Sequence, residues 1–234
     1  MDEVALDDIL GPRLHWSPVD PPDRVPLHGR FVSLEPFDSA RHAEALYRAS
    51  HGENLDPALW LYLGYGPWPD AAAYRPWVEE HARSADPLFF AIVPNGGDAA
   101  GQATYMRIDA NNGVIEIGHI WFGPALQKTK AATEAIYLLA KHAFDDLGYR
   151  RFEWKCHALN QRSRNAAERF GFTYEGTFRN AIIQRDRNRD TAWYSITDEE
   201  WPRIRDAFEN WLADGNFDAD GRQIRSLKEI REAP

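Results

Sequence analysis

Residues 114–157 read VIEIGHIWFGPALQKTKAATEAIYLLAKHAFDDLGYRRFEWKCH, and the period of their apolar residues changes twice. Residues 114–122 are rich in β-branched and aromatic side chains and suit a strand. From Lys130 onward, Ala132, Ala135, Ile136, Leu139, Ala143 and Leu147 fall at helical spacing. That spacing predicts a helix over 130–147, stopped at Gly148. Phe152, Trp154 and Cys156 then alternate with Arg151, Glu153, Lys155 and His157, as in a strand with one buried face. Strand, helix and strand in that order form a crossover, which makes the two strands parallel.

Working outward, residues 30–36, 88–93 and 101–108 read as strands. Asn95-Gly96-Gly97 and Asn111-Asn112-Gly113 mark turns, so the strands before the crossover form an antiparallel meander. Ser39 can cap a helix reaching about Tyr47. Residues 54–83 carry Trp60, Tyr62, Tyr65, Trp68, Tyr74 and Trp77 and read as short helices and loops. Downstream, Asn160 can cap a helix over 161–170 that ends at Gly171. Strands at 172–178 and 191–196 and a helix at 198–212 follow. The fold class is α/β, with a mixed, mostly antiparallel central sheet and helices covering it. Residues 1–29, proline-rich around Pro21-Pro22, read as an extended arm. Residues 30–200 read as the principal domain, and 201–234 as a C-terminal helix and polar tail packed on it.

The chain has 234 residues, 44% hydrophobic and 27% charged, which suits one globular domain. Its 27 Lys+Arg against 36 Asp+Glu give a formal charge of −9. That balance opposes general nucleic-acid binding and could favour a cationic substrate. A single cysteine, Cys156, excludes an intrachain disulfide and a multi-cysteine zinc site. No signal-peptide core and no apolar run of membrane-spanning length occur, so no membrane association is expected and the expected compartment is the cytoplasm. The stretch from Asn216 to Gly221 imitates the start of a calcium loop. Its twelfth position is Leu227 rather than Glu, so no metal is expected. The charged run 185–190 reads as a solvated hairpin tip.

Chemistry is expected where strand 114–122 gives way to the helix. A helix start offers unpaired amides and the positive end of the helix dipole, and Lys128 and Lys130 add charge. An ordinary helix start with two exposed lysines fits equally well. The Walker A glycines and the GxGxxG fingerprint are both missing. Asn160 with Ser163 reads as a helix cap.

Together these blocks resemble the GNAT superfamily of acyl-CoA N-acyltransferases, in its branch of ribosomal-protein-alanine acetyltransferase-like proteins. The resemblance spans about residues 30–200. It rests on the strand from Glu116 to Phe122, the loop from Gln127, Ala132-Thr133-Glu134-Ala135, the run from Asn160 to Asn165, and Phe170-Gly171-Phe172 with Glu175-Gly176. It implies a parallel strand pair that splays apart to admit acetyl-CoA as co-substrate. Ile120, Trp121 and Phe122 would pair with the pantetheine arm. Gln127, Lys128, Thr129, Lys130, Ala131 and Ala132 would cradle the pyrophosphate. Asn160 would touch the pantetheine, and Ser163 would hydrogen-bond the leaving sulfur. The family loop runs [QR]-x-x-G-x-[GA], and Lys130 stands at its first small position. Its side chain must point away from the phosphates or meet them through its ammonium.

The implied reaction is direct attack of a neutral amine on a thioester. It needs a base, an oxyanion donor and a hydrogen bond for the thiolate. Glu116 is the first candidate base and His119 the second, with Tyr174 third. Strict alternation puts Glu116 and His119 on opposite faces, and a bulge would bring them together. Trp60, Tyr62, Tyr65 and Trp68 are the candidate acceptor-binding residues, with a packed core as the competing reading. The acceptor is a primary amine, on a protein N-terminus or a small molecule. Readings outside enzymology are a non-catalytic acyl-CoA-binding module and a protein-interaction module. A homodimer is compatible with the sequence, and no segment specifies it.

Overall fold

The computed structural model describes residues 9–11, 13–51 and 56–233. Strands β1 (Leu27–His28), β2 (Val32–Pro36), β3 (Leu88–Pro94), β4 (Gly101–Asp109), β5 (Val114–Phe122), β6 (Arg151–His157), β7 (Thr173–Gln184) and β8 (Arg187–Thr197) form one sheet. Its order is β1-β2-β3-β4-β5-β6-β8-β7. Every neighbouring pair is antiparallel except β5 and β6, which run parallel across the crossover. This is the mixed sheet that the change of period implied.

The crossover helix α3 (Lys130–Lys141) is preceded by α1 (Ser39–His51) and α2 (Ala71–His81). The helices α4 (Gln161–Phe170), α5 (Trp201–Leu212) and α6 (Leu227–Arg231) follow it. The predicted helix over 130–147 is α-helical only to Lys141, and His142–Asp146 widens into a π turn before Gly148 at φ 75°. The helix predicted to end near Tyr47 runs on to His51, because Ala45, Leu46 and Ser50 are buried on its inner side.

Alternation along the strands divides two cores. Ile115, Ile117, Phe152, Trp154 and Cys156 pack with Ala132, Ala135, Ile136 and Leu139 of α3 and with Trp201, Ile204 and Phe208 of α5. Phe89, Ala91 and Trp121 face the other way, onto Leu46, Trp60, Tyr74 and Val78. Burial of each such large side chain contributes about 2–3 kcal/mol. A buried carboxylate ties the layers together. Glu134 of α3 accepts the backbone N–H groups of Arg30 (2.9 Å), Phe31 (2.6 Å) and Val32 (3.1 Å), fixing the turn into β2.

The proline-rich arm straps the β4–β5 turn. Trp16 Nε1 donates to Asn111 O at 2.8 Å, and Val19 N to Ala110 O at 3.1 Å. Gly113 sits at φ 62°, and a Cβ there would lie 2.3 Å from the Trp16 ring, so both turn and strap require glycine. The expectations for residues 1–8 and 12 fall outside the described residues. The tail is more ordered than its polarity implied. Ser226 and Glu229 form a reciprocal capping box at α6, and Leu227 is buried.

Candidate active site

β5 and β6 pair from Val114↔Arg151 to Ile117↔Trp154 and no further. Beyond that point β6 keeps its other partner, β8, as far as His157↔Thr191. The cause of the parting lies in β5. Gly118 pairs with Thr104 and Trp121 with Gln102, so His119 and Ile120 together face one residue of β4. His119 adopts φ 50° in this bulge. A bulge bends its strand and increases its twist, which turns the end of β5 away from β6. A cleft of about 1630 Å³ enters the opening.

On the α3 side, the cleft meets the loop after β5. Leu126 N and Gln127 N bond back to Gly123 O, and Thr129 caps α3 by accepting Ala132 N at 3.1 Å. Among the described residues, the amides of Lys128, Lys130 and Ala131 have no backbone acceptor. Lys128, at φ 61°, turns the loop into a concavity of N–H groups. Lys130 does not fill that concavity. Its Nζ lies 3.6 Å from the centroid of the Phe217 ring and 5.3 Å from that of Phe31. Gln127, Lys128, Thr129, Lys130 and Ala132 line the cleft, whereas the Ala131 side chain is buried in the core.

Asn160 caps α4 through its carbonyl, which accepts Ser163 N at 3.1 Å. The Ser163 hydroxyl accepts the Trp154 indole N–H at 2.9 Å. It also bonds Cys156, partly offsetting the burial that pushes that thiol up. Both Asn160 and Ser163 line the cleft, as do Ile120, Trp121 and Phe122. The Trp121 ring itself is buried against Trp60.

Sequence reasoning missed a third wall. Arg169 donates to Thr133 Oγ1 at 3.1 Å and lies over the rings of Phe170 and Trp211, with no carboxylate partner among the described residues. Burial holds its guanidinium below the usual arginine range. Trp211, Phe217 and Arg222 join it at the cleft. Trp211 and Phe217, large rings in an otherwise polar stretch, were the available signal.

On the opposite sheet face lie Glu116 and His119, brought to one side by the bulge. Glu116 is buried, and its Oε2 meets Lys155 Nζ at 2.9 Å and Arg107 Nε at 3.3 Å. Burial raises its carboxyl above the usual range, opposed by the Lys155 charge. Lys155 also pairs with Glu153 at 2.6 Å. His119 is held neutral, its pKa pushed down to about 4, first by burial and then by the charges of His81 and Arg189. Gln102 Nε2 donates to His119 O at 3.0 Å and to Tyr65 Oη at 2.8 Å. Tyr65 Oη also lies 3.1 Å from His119 Nδ1, so the phenol links the imidazole to Gln102.

Of the four aromatic residues expected at the acceptor, only Tyr62 lines the cleft. Trp60, Tyr65 and Trp68 pack against one another, with centroid separations of 6.2, 5.3 and 5.8 Å, in the layer beneath. Trp60 and its neighbours are consumed in covering Phe89 and Trp121, so they form core rather than a slot. Of the run 185–190 expected to be a solvated tip, only 185–186 turn the hairpin, residues 187–190 belong to β8, and the tip is docked. Arg185 donates to Trp60 O, Leu63 O and Gly66 O at 3.1–3.3 Å, and Gln184 to Tyr62 O at 3.1 Å. Arg162 pairs with Asp56 on the other flank. These bridges roof the acceptor half with residues 56–66.

The cleft opposes the sign of the whole chain. Among the described residues, its lining holds eight Lys and Arg against Asp56 and Glu116. The idea that net acidity favours a cationic substrate therefore does not describe this cavity. Tyr174, the third candidate base, is on the outer strand, bonded to Thr177 and away from the cleft lining.

A sheet opened between two parallel strands, with free amides on one side and a buried carboxylate on the other, defines a class of protein: acyl transfer from a thioester carrier. The chain belongs to the GNAT family, since residues 32–173 match the Acetyltransferase (GNAT) domain. It is an N-acetyltransferase. A crystal structure of a GCN5-related N-acetyltransferase from Brucella melitensis superposes with a TM-score of 0.91 at 45% identity, covering 94% of this chain and 99% of that one. A probable GNAT acetyltransferase from Chromobacterium violaceum gives a TM-score of 0.75 at 40% identity, over 82% and 96% of the two chains. The Bacillus subtilis protein named "Putative ribosomal N-acetyltransferase YdaF" is 27% identical over 183 residues, 76% of this chain and 96% of its own. Among the described residues, no helix is long and apolar enough to cross a membrane.

Proposed function

We propose that this chain transfers acetyl from acetyl-CoA to a primary amine, with Glu116 as the base. The supporting observation is the opening of β5 from β6 after Ile117, flanked by the free amides of the loop at Lys128–Ala131. The residues present fit the coenzyme's charge. Lys128, Lys130 and Arg169 face the cleft without carboxylate partners among the described residues, and four negative charges on a pyrophosphate and a 3′-phosphate suit them. When bound, acetyl-CoA supplies the activated carbonyl.

The chain's own residues do the rest. The edge of Gly118–Phe122 that faces β6, which has no strand partner there among the described residues, orients the carrier and offers N–H groups to a developing oxyanion. Glu116, with its pKa raised by burial, is a stronger proton acceptor than an exposed carboxylate, and it takes the amine proton directly or through one water. His119 has its Nδ1 engaged with Tyr65 Oη. It serves as a positioning residue at the bulge rather than as the base. Ser163 offers its hydroxyl to the sulfur. Soluble amines and protein N-termini both remain acceptors under this reading, and the name of the Bacillus relative favours a ribosomal protein as one to test first.

The test is calorimetric titration with acetyl-CoA and CoA, followed by thiol release with amine acceptors in wild type and Glu116→Gln. Micromolar coenzyme binding by both proteins, with turnover lost only in Glu116→Gln, is the expected result. Absence of binding at millimolar coenzyme refutes the reading.

A further inference from the structure

Arg189 and Trp193 lie four positions apart on β8, on the sheet face that carries Glu116 and Lys155. Trp193 is register partner to Lys155, whose Nζ sits 3.6 Å from the indole centroid. Both residues line the acceptor half of the cleft. Each holds a buried donor with no acceptor among the described residues: Arg189 Nε and Trp193 Nε1. Among the described residues, Arg189 makes one side-chain bond, from its Nη1 to Gln184 Oε1 at 3.0 Å, and no ion pair.

The neighbouring acids are all engaged elsewhere. Glu116 is held by Lys155 and Arg107, and Glu153 by Lys155 and Arg151. Asp190 accepts Asn180 N at 2.7 Å and Asn188 Nδ2 at 2.8 Å. A desolvated guanidinium without an ion-pair partner is costly, and burial holds this one below the usual arginine range although the Glu116 charge opposes that. Its charge is felt at His119, and that of Glu116 is felt at Arg189.

We infer that Arg189 and the Trp193 N–H form an anion subsite of the acceptor site, so that the acceptor carries a carboxylate within a few atoms of its amine. An anion there would neutralise the guanidinium. It would also fix the amine beside Glu116, which a bare alkylamine could not achieve. The inference rests on the acetyltransferase reading. A free amino acid and a peptide N-terminus followed by an acidic side chain present the same chemistry.

The probes are three conjugates in which CoA sulfur is joined through a CH2–CO unit to the nitrogen of glycine, of glycinamide, or of Gly-Asp-amide. The coenzyme portion delivers each acceptor portion to the site. Calorimetry on wild type should show the glycine carboxylate bound at least about ten-fold tighter than glycinamide, as expected for a charge-assisted pair. Arg189→Gln should bring that ratio to about one while leaving CoA affinity unchanged. Trp193→Phe, which keeps the ring and removes the N–H, should lower it partway. Preference for Gly-Asp-amide over glycinamide but not for glycine places the carboxylate on a peptide side chain; the reverse places it on a free amino acid. Equal binding of all three by wild type overturns the inference alone, and so does a ratio that survives Arg189→Gln. Failure of CoA itself to bind overturns the coenzyme reading and this inference with it.

Discussion

Lys130→Ala reverses sign between two readings of one residue. Were the lysine filling the phosphate cradle, shortening it would create or tighten coenzyme binding. The structure directs it elsewhere, with Nζ resting on Phe217 and the amides of Lys128, Lys130 and Ala131 left open. Its charge therefore stands beside the cradle as an attractor. For a unit charge ~7 Å from a phosphate at an effective dielectric of ~20, the attraction is ~2.4 kcal/mol. Screening with a Debye length of ~8 Å at physiological salt reduces it to ~1 kcal/mol, a factor of ~5 in Kd. At 1 M salt, where the Debye length is ~3 Å, the same pair gives a factor of only ~1.5. Loss of the ring contact costs ~0.5–1 kcal/mol of stability, too little to unfold the chain. Calorimetric titration of CoA into wild type and Lys130→Ala at the two salt concentrations reads both factors. Equal or tighter binding by the variant at physiological salt would falsify the placement of this side chain.

Three further outcomes follow from the same geometry. Glu134→Ala strands three backbone N–H groups at the turn into β2, at a cost of ~3 kcal/mol or more, and should lower Tm by ~6–12 °C; an unchanged melting curve refutes the tie. His119 has a pKa pushed down to about 4 in the fold against 6.5 as the ordinary value. Between those pH values the unfolded chain binds a proton the folded chain refuses, so stability falls as pH drops, by at most ~3 kcal/mol from this ring. Urea unfolding at pH 7 and pH 4.5 should show a smaller loss in His119→Gln than in wild type. Arg185→Ala frees the carbonyls of Trp60, Leu63 and Gly66, and hydrogen exchange over residues 58–66 should accelerate at least ten-fold, with KM for the acceptor rising more than KM for the coenzyme.

The sequence by itself determined the crossover, because helical and strand periods follow from local geometry and are written into residues 114–157. It also determined the capping roles of Asn160 and the helix start after Gln127, since a cap is satisfied within three residues. Three decisions needed the folded chain. The bulge at His119 and Ile120 depends on register against β4, which strand alternation alone does not encode. The aromatic residues near Trp60 became core because Phe89 and Trp121 needed covering from another part of the chain. Arg169, Arg189 and Phe217 joined the cleft because helix packing and a long hairpin carried them there from distant positions. Local periodicity is a property of neighbouring residues, whereas a charge left unpaired in a cleft is a property of everything packed around it.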